Sequence, residues 1–156
     1  MISFRGLWLL LMLPLASACN AGDPVIGYAD DDDAMNAAIE EARASTDDFL
    51  AAIRKGNADT YSVKARIAER DQAEHIWIDR VSVDDVYFNG FIANEPAGLT
   101  SVKLGDPYQI KQSDISDWMY TEGSDIYGAY TLRVMLKDMP TEQAAAFRKN
   151  LKDLSE

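Results

Sequence analysis

The sequence contains few of the residues on which many protein sites depend. Cys19 is the only cysteine, which excludes a disulfide within one chain, and His75 is the only histidine, which excludes zinc or copper sites built from several imidazoles. The chain has 15 Lys and Arg residues against 26 Asp and Glu residues, and its net charge is −11. Lys and Arg nowhere cluster along the sequence, so we expect no basic patch and exclude nucleic acid as a partner.

Long apolar segments are also absent. A permanent membrane-spanning helix needs about 20 apolar residues, whereas the apolar run at 7–15 is far shorter and is interrupted by Pro14. With Arg5 before it and small residues after it, this run has the pattern of a cleavable secretory signal, which we assign to residues 1–18. The mature chain is therefore expected to work outside the bacterial cytoplasm.

The single cysteine follows this signal directly. Small residues precede Cys19, as lipoprotein signal peptidase requires, and lipid attachment gives a use to a lone thiol in an exported protein. Ordinary cleavage after the Ala-Ser-Ala sequence at 16–18 is the alternative. Asn20 is not the aspartate that retains lipoproteins in the inner membrane of many Gram-negative cells. We therefore predict a membrane anchor through Cys19 on the periplasmic side of the outer membrane.

The rest of the chain divides into two parts of different composition. Residues 19–33 have no apolar period and end in a run of aspartates at 30–33, which is typical of a flexible acidic tether behind the lipidated cysteine. The aspartates lack the alternating ligands and the central glycine of an EF-hand, so we expect them to cap a helix rather than to bind calcium. Residues 34–156 are assigned to a single domain.

The apolar spacing within the domain predicts both helix and strand. Spacings of three and four predict a long helix over 34–55, and a period of two predicts a strand over 61–67. A second helix is expected to begin near Pro140, and further β-like runs lie at 75–83, 86–93 and 126–136. Short turns favour antiparallel neighbours. The predicted fold is α+β, an antiparallel β-sheet with an N-terminal and a C-terminal helix packed on one face.

Four ordered motifs give the domain a family resemblance. They are HIWI at 75–78, GFIANEP at 90–96, ISDWMY at 115–120 and GAYTLR at 128–133. With these motifs the chain resembles, over roughly 34–136, the YegJ-like bacterial family catalogued as domain of unknown function 2314. Members of that family have no established activity and occur as small single domains, some of them exported, and fused to ankyrin-like repeats. The resemblance therefore implies a binding module rather than an enzyme.

Candidate catalytic residues are few. Asp117 and Asp114 lie near Glu122 and Asp125 in sequence, and paired carboxylates are what glycoside hydrolysis or a magnesium site requires. These acids are equally typical of turns, where Asp side chains bind backbone amides. His75 is a candidate general base, with an ordinary strand-edge histidine as the alternative. No metal site and no cofactor are predicted.

Aromatic and polar side chains within the motifs supply the candidate binding residues, which are Trp77, Asn94, Asp117, Trp118, Tyr130 and Arg133. Aromatic side chains with one polar end can recognise sugar faces or protein partners, but core positions are favoured for Trp118 and Tyr130. Arg133 is predicted to pair with Asp117 and so to hold a loop against a strand.

These features predict a non-catalytic binding or interaction module of the bacterial cell envelope, with an envelope protein or a glycan as its partner. Two other functions fit the sequence. One is a hydrolase that acts on envelope glycan through Asp117 and a second acid, and the other is an immunity-type inhibitor of a partner enzyme. An enzyme requires acids that converge in a concave pocket, whereas an interaction module requires an apolar patch rimmed by acids.

Overall fold

The computed structural model describes residues 32–154. The predictions for the signal at 1–18 and for lipidation of Cys19 lie outside the described residues. The described elements are, in chain order, α1 Asp33–Ala44, α2 Thr46–Lys55, β1 Thr60–Glu69, β2 Gln72–Val83, β3 Tyr87–Ile92, β4 Pro107–Lys111, β5 Ile115–Glu122, β6 Asp125–Gly128, α3 Tyr130–Met135, α4 Thr141–Asn150 and β7 Leu151–Lys152. In this part of the chain no helix is both long enough and apolar enough to span a membrane.

The strands form one sheet in the order β4-β3-β2-β1-β5-β6-β7. Every neighbouring pair is antiparallel except β6 and β7. This arrangement confirms the α+β prediction, and the strands predicted at 61–67, 75–83 and 86–93 correspond to β1, β2 and β3. The sequence pattern did not predict β4 or β5. In β5 the alternation of apolar and polar residues is broken, because Ser116 and Asp117 are polar and buried.

The predicted helix over 34–55 is two helices in the structure. It breaks at Ser45, whose φ of −99° and ψ of 13° separate α1 from α2. The Ser45 hydroxyl donates to the Glu41 carbonyl at 2.9 Å, and such back-bonding competes with the helical N–H groups and bends the chain. The N-terminus of α1 is as expected. Asp32 Oδ1 accepts the N–H of Met35 at 2.8 Å, so the acidic run caps a helix.

The prediction of a strand over 126–136 is wrong beyond its first few residues. β6 ends at Gly128 and α3 begins at Tyr130. Gly128 and Ala129 both adopt the left-handed conformation, with φ of 77° and 54°, and this pair turns the chain out of the strand direction. The apolar residues at every second position indicated a strand. That periodicity carries no information about two consecutive left-handed residues, so the turn could not be predicted from it.

The hydrophobic core lies between α1, α2 and one face of the sheet. Trp118 of β5 is fully buried there and stacks on Phe49 of α2, with ring centroids 5.2 Å apart. Its Nε1 donates to the Ala42 carbonyl of α1 at 2.9 Å. The neighbouring strands contribute the buried residues Val63, Ile78 and Phe88. We call the opposite side of the sheet the outer face, and it carries the side chains that alternate with these core positions.

Candidate functional site

Asp117 lies on the outer face of β5, opposite Lys64 of β1. The register shifts between Lys64 and Ala65, so that β5 has one more residue than β1 at this point. Such a bulge re-aims side chains, and here both Ser116 and Asp117 lie on the outer face while Trp118 enters the core. Asp117 is nevertheless fully buried, with an exposed fraction of 0%.

Four hydrogen bonds hold the Asp117 carboxylate. Its Oδ1 accepts the N–H groups of Trp118 and Tyr130, at 2.8 and 3.0 Å. Its Oδ2 accepts the N–H and the hydroxyl of Thr131, at 2.9 and 2.5 Å. The N–H groups of Tyr130 and Thr131 belong to the first turn of α3 and have no acceptor within the helix. Asp117 therefore caps α3 from a strand that is distant in sequence.

Lys64 completes this buried cluster. Its Nζ donates to the Thr131 hydroxyl oxygen at 3.0 Å and lies 5.0 Å from the centroid of the Trp77 ring. Burial lowers the pKa of Lys64, and the charge of Asp117 opposes that shift. Burial likewise raises the pKa of Asp117, against the hydrogen bonds from Thr131 and the charge of Lys64. A buried acid and a buried base are thus bridged by one hydroxyl group.

The other acids considered as partners of Asp117 are placed elsewhere. Asp114 is exposed, and its carboxylate accepts the Ser113 hydroxyl at 2.7 Å. Glu122 and Asp125 face each other at the end of the β5–β6 hairpin. In residues 32–154, no three His, Cys, Asp or Glu side chains are grouped so that they could hold a metal ion.

The predicted ion pair between Arg133 and Asp117 is wrong. Arg133 lies in α3 rather than in a strand, and its guanidinium donates to the Gly128 carbonyl at 3.0 Å and to the Lys152 carbonyl at 2.5 Å. These contacts attach the C-terminal strand β7 to the turn after β6. The basic residue beside Asp117 is Lys64, which comes from the neighbouring strand and not from the motif that contains Arg133.

The aromatic residues of the last two motifs pack together. Tyr130 contacts Trp118 edge to face, with ring centroids 5.6 Å apart, and is itself half-buried. A Cβ atom added at Gly128 would lie 2.5 Å from the Trp118 ring, so only glycine fits there. Trp118 and Gly128 therefore serve folding. Tyr130 and Arg133 also line a cleft of about 640 Å³ between α1 and the C-terminal residues.

The first two motifs meet at the β2–β3 hairpin. Asn94 Oδ1 accepts the N–H of Trp77 at 2.9 Å, which holds the end of β3 against β2. A Cβ at Gly90 would lie 2.4 Å from the Asp79 carbonyl oxygen, because β2 is bulged beside it. Asn94 and Gly90 thus have structural roles, while the Trp77 side chain stands half-buried on the outer face.

His75 contacts Ser116 of β5. Its Nδ1 lies 2.8 Å from the Ser116 hydroxyl oxygen across the intervening strand β1. His75 is exposed, whereas Ser116 is 1% exposed and so is closed to a substrate. The pair joins two motifs that lie far apart in sequence and places the imidazole on the outer face.

The outer face of β1 to β4 gathers cationic and aromatic side chains. Arg66 is paired with His75, Lys64 with Trp77, Asp79 with Phe91, and Tyr87 with Lys111. The guanidinium of Arg80 lies 4.1 Å from the centroid of the Phe91 ring. Because directly paired residues share a face, these strands bring together six residues that we call the outer-face patch: Arg66, His75, Trp77, Arg80, Phe91 and Lys111.

The sequence led us to expect no basic patch, and the cations of the outer-face patch are spaced well apart. They share one face because the strands that carry them are neighbours in the sheet. Among the described residues this face also carries carboxylates: Asp79 is bound to Arg80 at 3.1 Å, and Asp84 accepts the side-chain N–H of Asn89 at 3.2 Å. The helices on the other side expose the acids Asp33, Glu40, Glu41, Asp47 and Asp48 and the bases Arg43, Arg54 and Lys55. Acids therefore outnumber bases on the helical side, whereas bases outnumber acids on the outer face of β1 to β4.

Two glutamates of the β1–β2 hairpin hold the loop after β3. Glu69 accepts the N–H and the hydroxyl of Thr100 and the N–H of Ser101, all between 2.7 and 2.8 Å. These hydrogen bonds lower the pKa of Glu69 to about 2. Partial burial alone would raise the pKa of Glu74, but three loop N–H groups, including that of Leu99, lower it. The loop is thus fixed by charge-assisted hydrogen bonds.

Comparison with known proteins agrees with the family resemblance. The family described as "Uncharacterized protein conserved in bacteria (DUF2314)" matches residues 32–152. "Uncharacterized protein YegJ" of Escherichia coli K12 is 40% identical over 148 residues, which cover 92% of this chain and 97% of that protein. A Neisseria meningitidis serogroup B protein named for ankyrin repeats is 39% identical over 70 residues, 45% of this chain and 28% of its own length. No solved structure matches. The chain belongs to the DUF2314 family of bacterial proteins.

Proposed function

We propose that this protein is a non-catalytic interaction module of the bacterial cell envelope and that the outer-face patch is the surface that binds its partner. The mature chain is exported and anchored through a lipid on Cys19. The sequence pattern of 1–18 followed by a lone cysteine supports export and anchoring. The patch supports the binding role.

One observation carries the proposal. In a chain of net charge −11, the outer face gathers Arg66, Arg80, Lys111 and His75 together with two aromatic rings. Aromatic and Arg side chains are the residue types that dominate protein interfaces. The expected patch was apolar with an acidic rim, whereas the observed one is aromatic and cationic. This composition favours a partner of opposite charge.

The geometry does not favour the alternative of a hydrolase. A general acid or nucleophile must reach the substrate, but Asp117 is 0% exposed and its two oxygens already accept four hydrogen bonds. A second carboxylate is required as well, and the candidate Asp114 is exposed and bound to Ser113. Asp117 instead stabilises the fold.

Crosslinking in the native envelope tests the proposed function. The double variant Arg66→Gln with Lys111→Gln removes two charges from the outer-face patch. Arg54→Gln with Lys55→Gln removes the same two residue types from the exposed side of α2 and is the matched control. We expect a crosslinked partner to be lost from the first variant and retained by the second. A partner retained by both variants would refute the outer-face patch as the binding surface.

Two further measurements test export and anchoring. Metabolic labelling with a radioactive fatty acid should label the wild-type chain and leave Cys19→Ala unlabelled. Fractionation of the envelope should then find the wild-type chain with the outer membrane and the Cys19→Ala chain in the soluble periplasm. An unlabelled wild-type chain would refute lipid anchoring and leave the binding surface unaffected.

A further inference from the structure

We infer that the outer-face patch binds an acidic, extended segment of another polypeptide. This inference rests on the proposed function, because it names the partner chemistry of the same surface. It follows from three features of the patch, which are the spread of its cations, the occupation of its aromatic rings and its small exposed apolar area.

The cations are spread rather than convergent. Arg66, which is paired with His75, lies at one end of the β1–β2 pair, and Arg80 lies five positions beyond His75 along β2. At about 3.3 Å per residue this separation is roughly 16 Å along the strand. Lys111 lies on β4, two strands or about 10 Å across the sheet from β2. It also lies four residues beyond Pro107, the partner of Phe91, which adds roughly 13 Å along the strand direction. A single phosphate or carboxylate requires donors that meet at one point, whereas this spacing suits several carboxylates along an extended chain.

Cations already occupy the aromatic rings. Lys64 Nζ lies 5.0 Å from the Trp77 ring centroid, and the Arg80 guanidinium lies 4.1 Å from the Phe91 ring centroid. A sugar that stacks on an aromatic ring needs an open ring face. Here the rings hold cations in place and pre-order them for an anionic partner. This arrangement favours acidic polypeptide over glycan.

The patch exposes little apolar surface to a lipid bilayer. Phe91 is 37% exposed, while the other large exposed apolar residues among those described, Val86, Leu104 and Leu154, lie outside the patch. Membrane-surface binding requires several apolar side chains that enter the headgroup region. The net charge of −11 also repels anionic membranes and nucleic acids at long range. The small exposed apolar area thus argues against a lipid surface, and the spacing of the cations makes polypeptide the favoured partner class.

Fluorescence anisotropy with a labelled peptide tests this inference. The probe is a twelve-residue peptide of alternating Glu and Ser, titrated with the purified full chain, and its control replaces every Glu by Gln. At about 50 mM salt, where charges are weakly screened, we expect binding of the acidic peptide only. Arg66→Gln with Lys111→Gln should weaken it about tenfold, and Arg54→Gln with Lys55→Gln should change it less than about twofold.

A second patch variant distinguishes a specific loss of binding from a loss of binding caused by misfolding. Arg80→Gln with Lys111→Gln should weaken peptide binding to a similar extent, and circular dichroism should show wild-type structure in every variant. The half-buried Trp77 provides an independent readout, because its emission should change when the peptide binds while that of the buried Trp118 stays constant. Loss of binding in both patch variants, with the control variant unaffected, would establish the acidic segment as the ligand.

Several results would overturn the inference. The inference fails if the Gln peptide binds as tightly as the Glu peptide. It also fails if the patch variants and the control variant lose the same amount of affinity for the Glu peptide, because the outer-face patch would then not recognise acidic segments. More than tenfold tighter binding of polygalacturonate or of phosphatidylglycerol vesicles would assign the patch to a glycan or to a lipid surface. Patch-dependent self-association in sedimentation would assign it to a second copy of this chain. In each case a crosslinked partner lost on Arg66→Gln with Lys111→Gln would still uphold the proposed function.

Discussion

The Asp117 carboxylate accepts both the backbone N–H and the side-chain hydroxyl of Thr131, at 2.9 and 2.5 Å. These two residues lie in β5 and at the start of α3, and neither is exposed by more than 1%. Lys64 donates to the same hydroxyl oxygen at 3.0 Å. A fully buried carboxylate with several donors is a structural element whose loss is costly. It explains why the chain leaves β6 and forms a helix at this point.

Asp117→Asn should therefore destabilise the fold strongly. The asparagine side chain has one acceptor oxygen instead of two, so it can accept fewer of the four hydrogen bonds. Lys64 would also remain buried without its negatively charged partner. We expect a loss of about 3 kcal/mol in the free energy of unfolding, measured by urea denaturation. Asp114→Asn is the control, since Asp114 is exposed, and it should stay within about 0.5 kcal/mol of the wild type. Equal values for the two variants would contradict the capping role of Asp117.

Coupling between Lys64 and Asp117 can be measured directly with a double-mutant cycle. Lys64→Met and Asp117→Asn should each destabilise the protein alone, because each leaves one buried charge or polar group without its partner. The double variant should be more stable than the sum of the single effects predicts, by about 1–2 kcal/mol. Additive effects would show that Thr131 separates the two groups rather than linking them.

Gly128→Ala tests the close approach between the turn and Trp118. The added Cβ would lie 2.5 Å from the Trp118 ring. Gly128 also has a φ of 77°, which disfavours any residue other than glycine. We expect a loss of more than about 3 kcal/mol or failure to fold. Gly123→Ala has a similar φ of 59° with no atom within 4 Å, so it should cost only about 1 kcal/mol. The difference between the two variants measures the steric contact separately from the backbone strain.

Low pH should loosen the loop after β3. The pKa of Glu69 in the folded state is about 2, below its ordinary value of 4.5. Its contribution to stability is therefore present above pH 4.5 and is lost as the pH falls through about 2. The protection factors of the Thr100 and Ser101 amides in hydrogen exchange should fall over this range. Glu69→Gln should remove the pH dependence, whereas Glu95→Gln in the same loop should preserve it.

Part of the fold could be predicted because its signals are local. The cap at Asp32 and the period of two in β1 and β2 depend on near neighbours in sequence, and the structure confirms them. The turn at Gly128 was missed for the opposite reason. It depends on the Trp118 ring beside it and on the Asp117 carboxylate, which come from a different strand.

The residues of the candidate site divide in the same way. The motifs identified Asp117, Trp118 and Trp77, but they assigned Arg133 to Asp117 and so named the wrong base. No sequence pattern marked Lys64 as a site residue, since it is one of several polar positions in a half-buried strand. Its burial follows from contacts with Thr131 and Trp77, which only the packed sheet brings together.

By itself, the sequence determined the family, the α+β class, the net charge of −11 and the lack of any disulfide or multi-histidine site. Those properties depend on composition and on local order along the chain. The tertiary structure alone decided that Asp117 is a buried cap and that Arg66, Arg80 and Lys111 share one face. Strand order and register bring together residues that are far apart in sequence. Composition does not determine which residues are paired in this way.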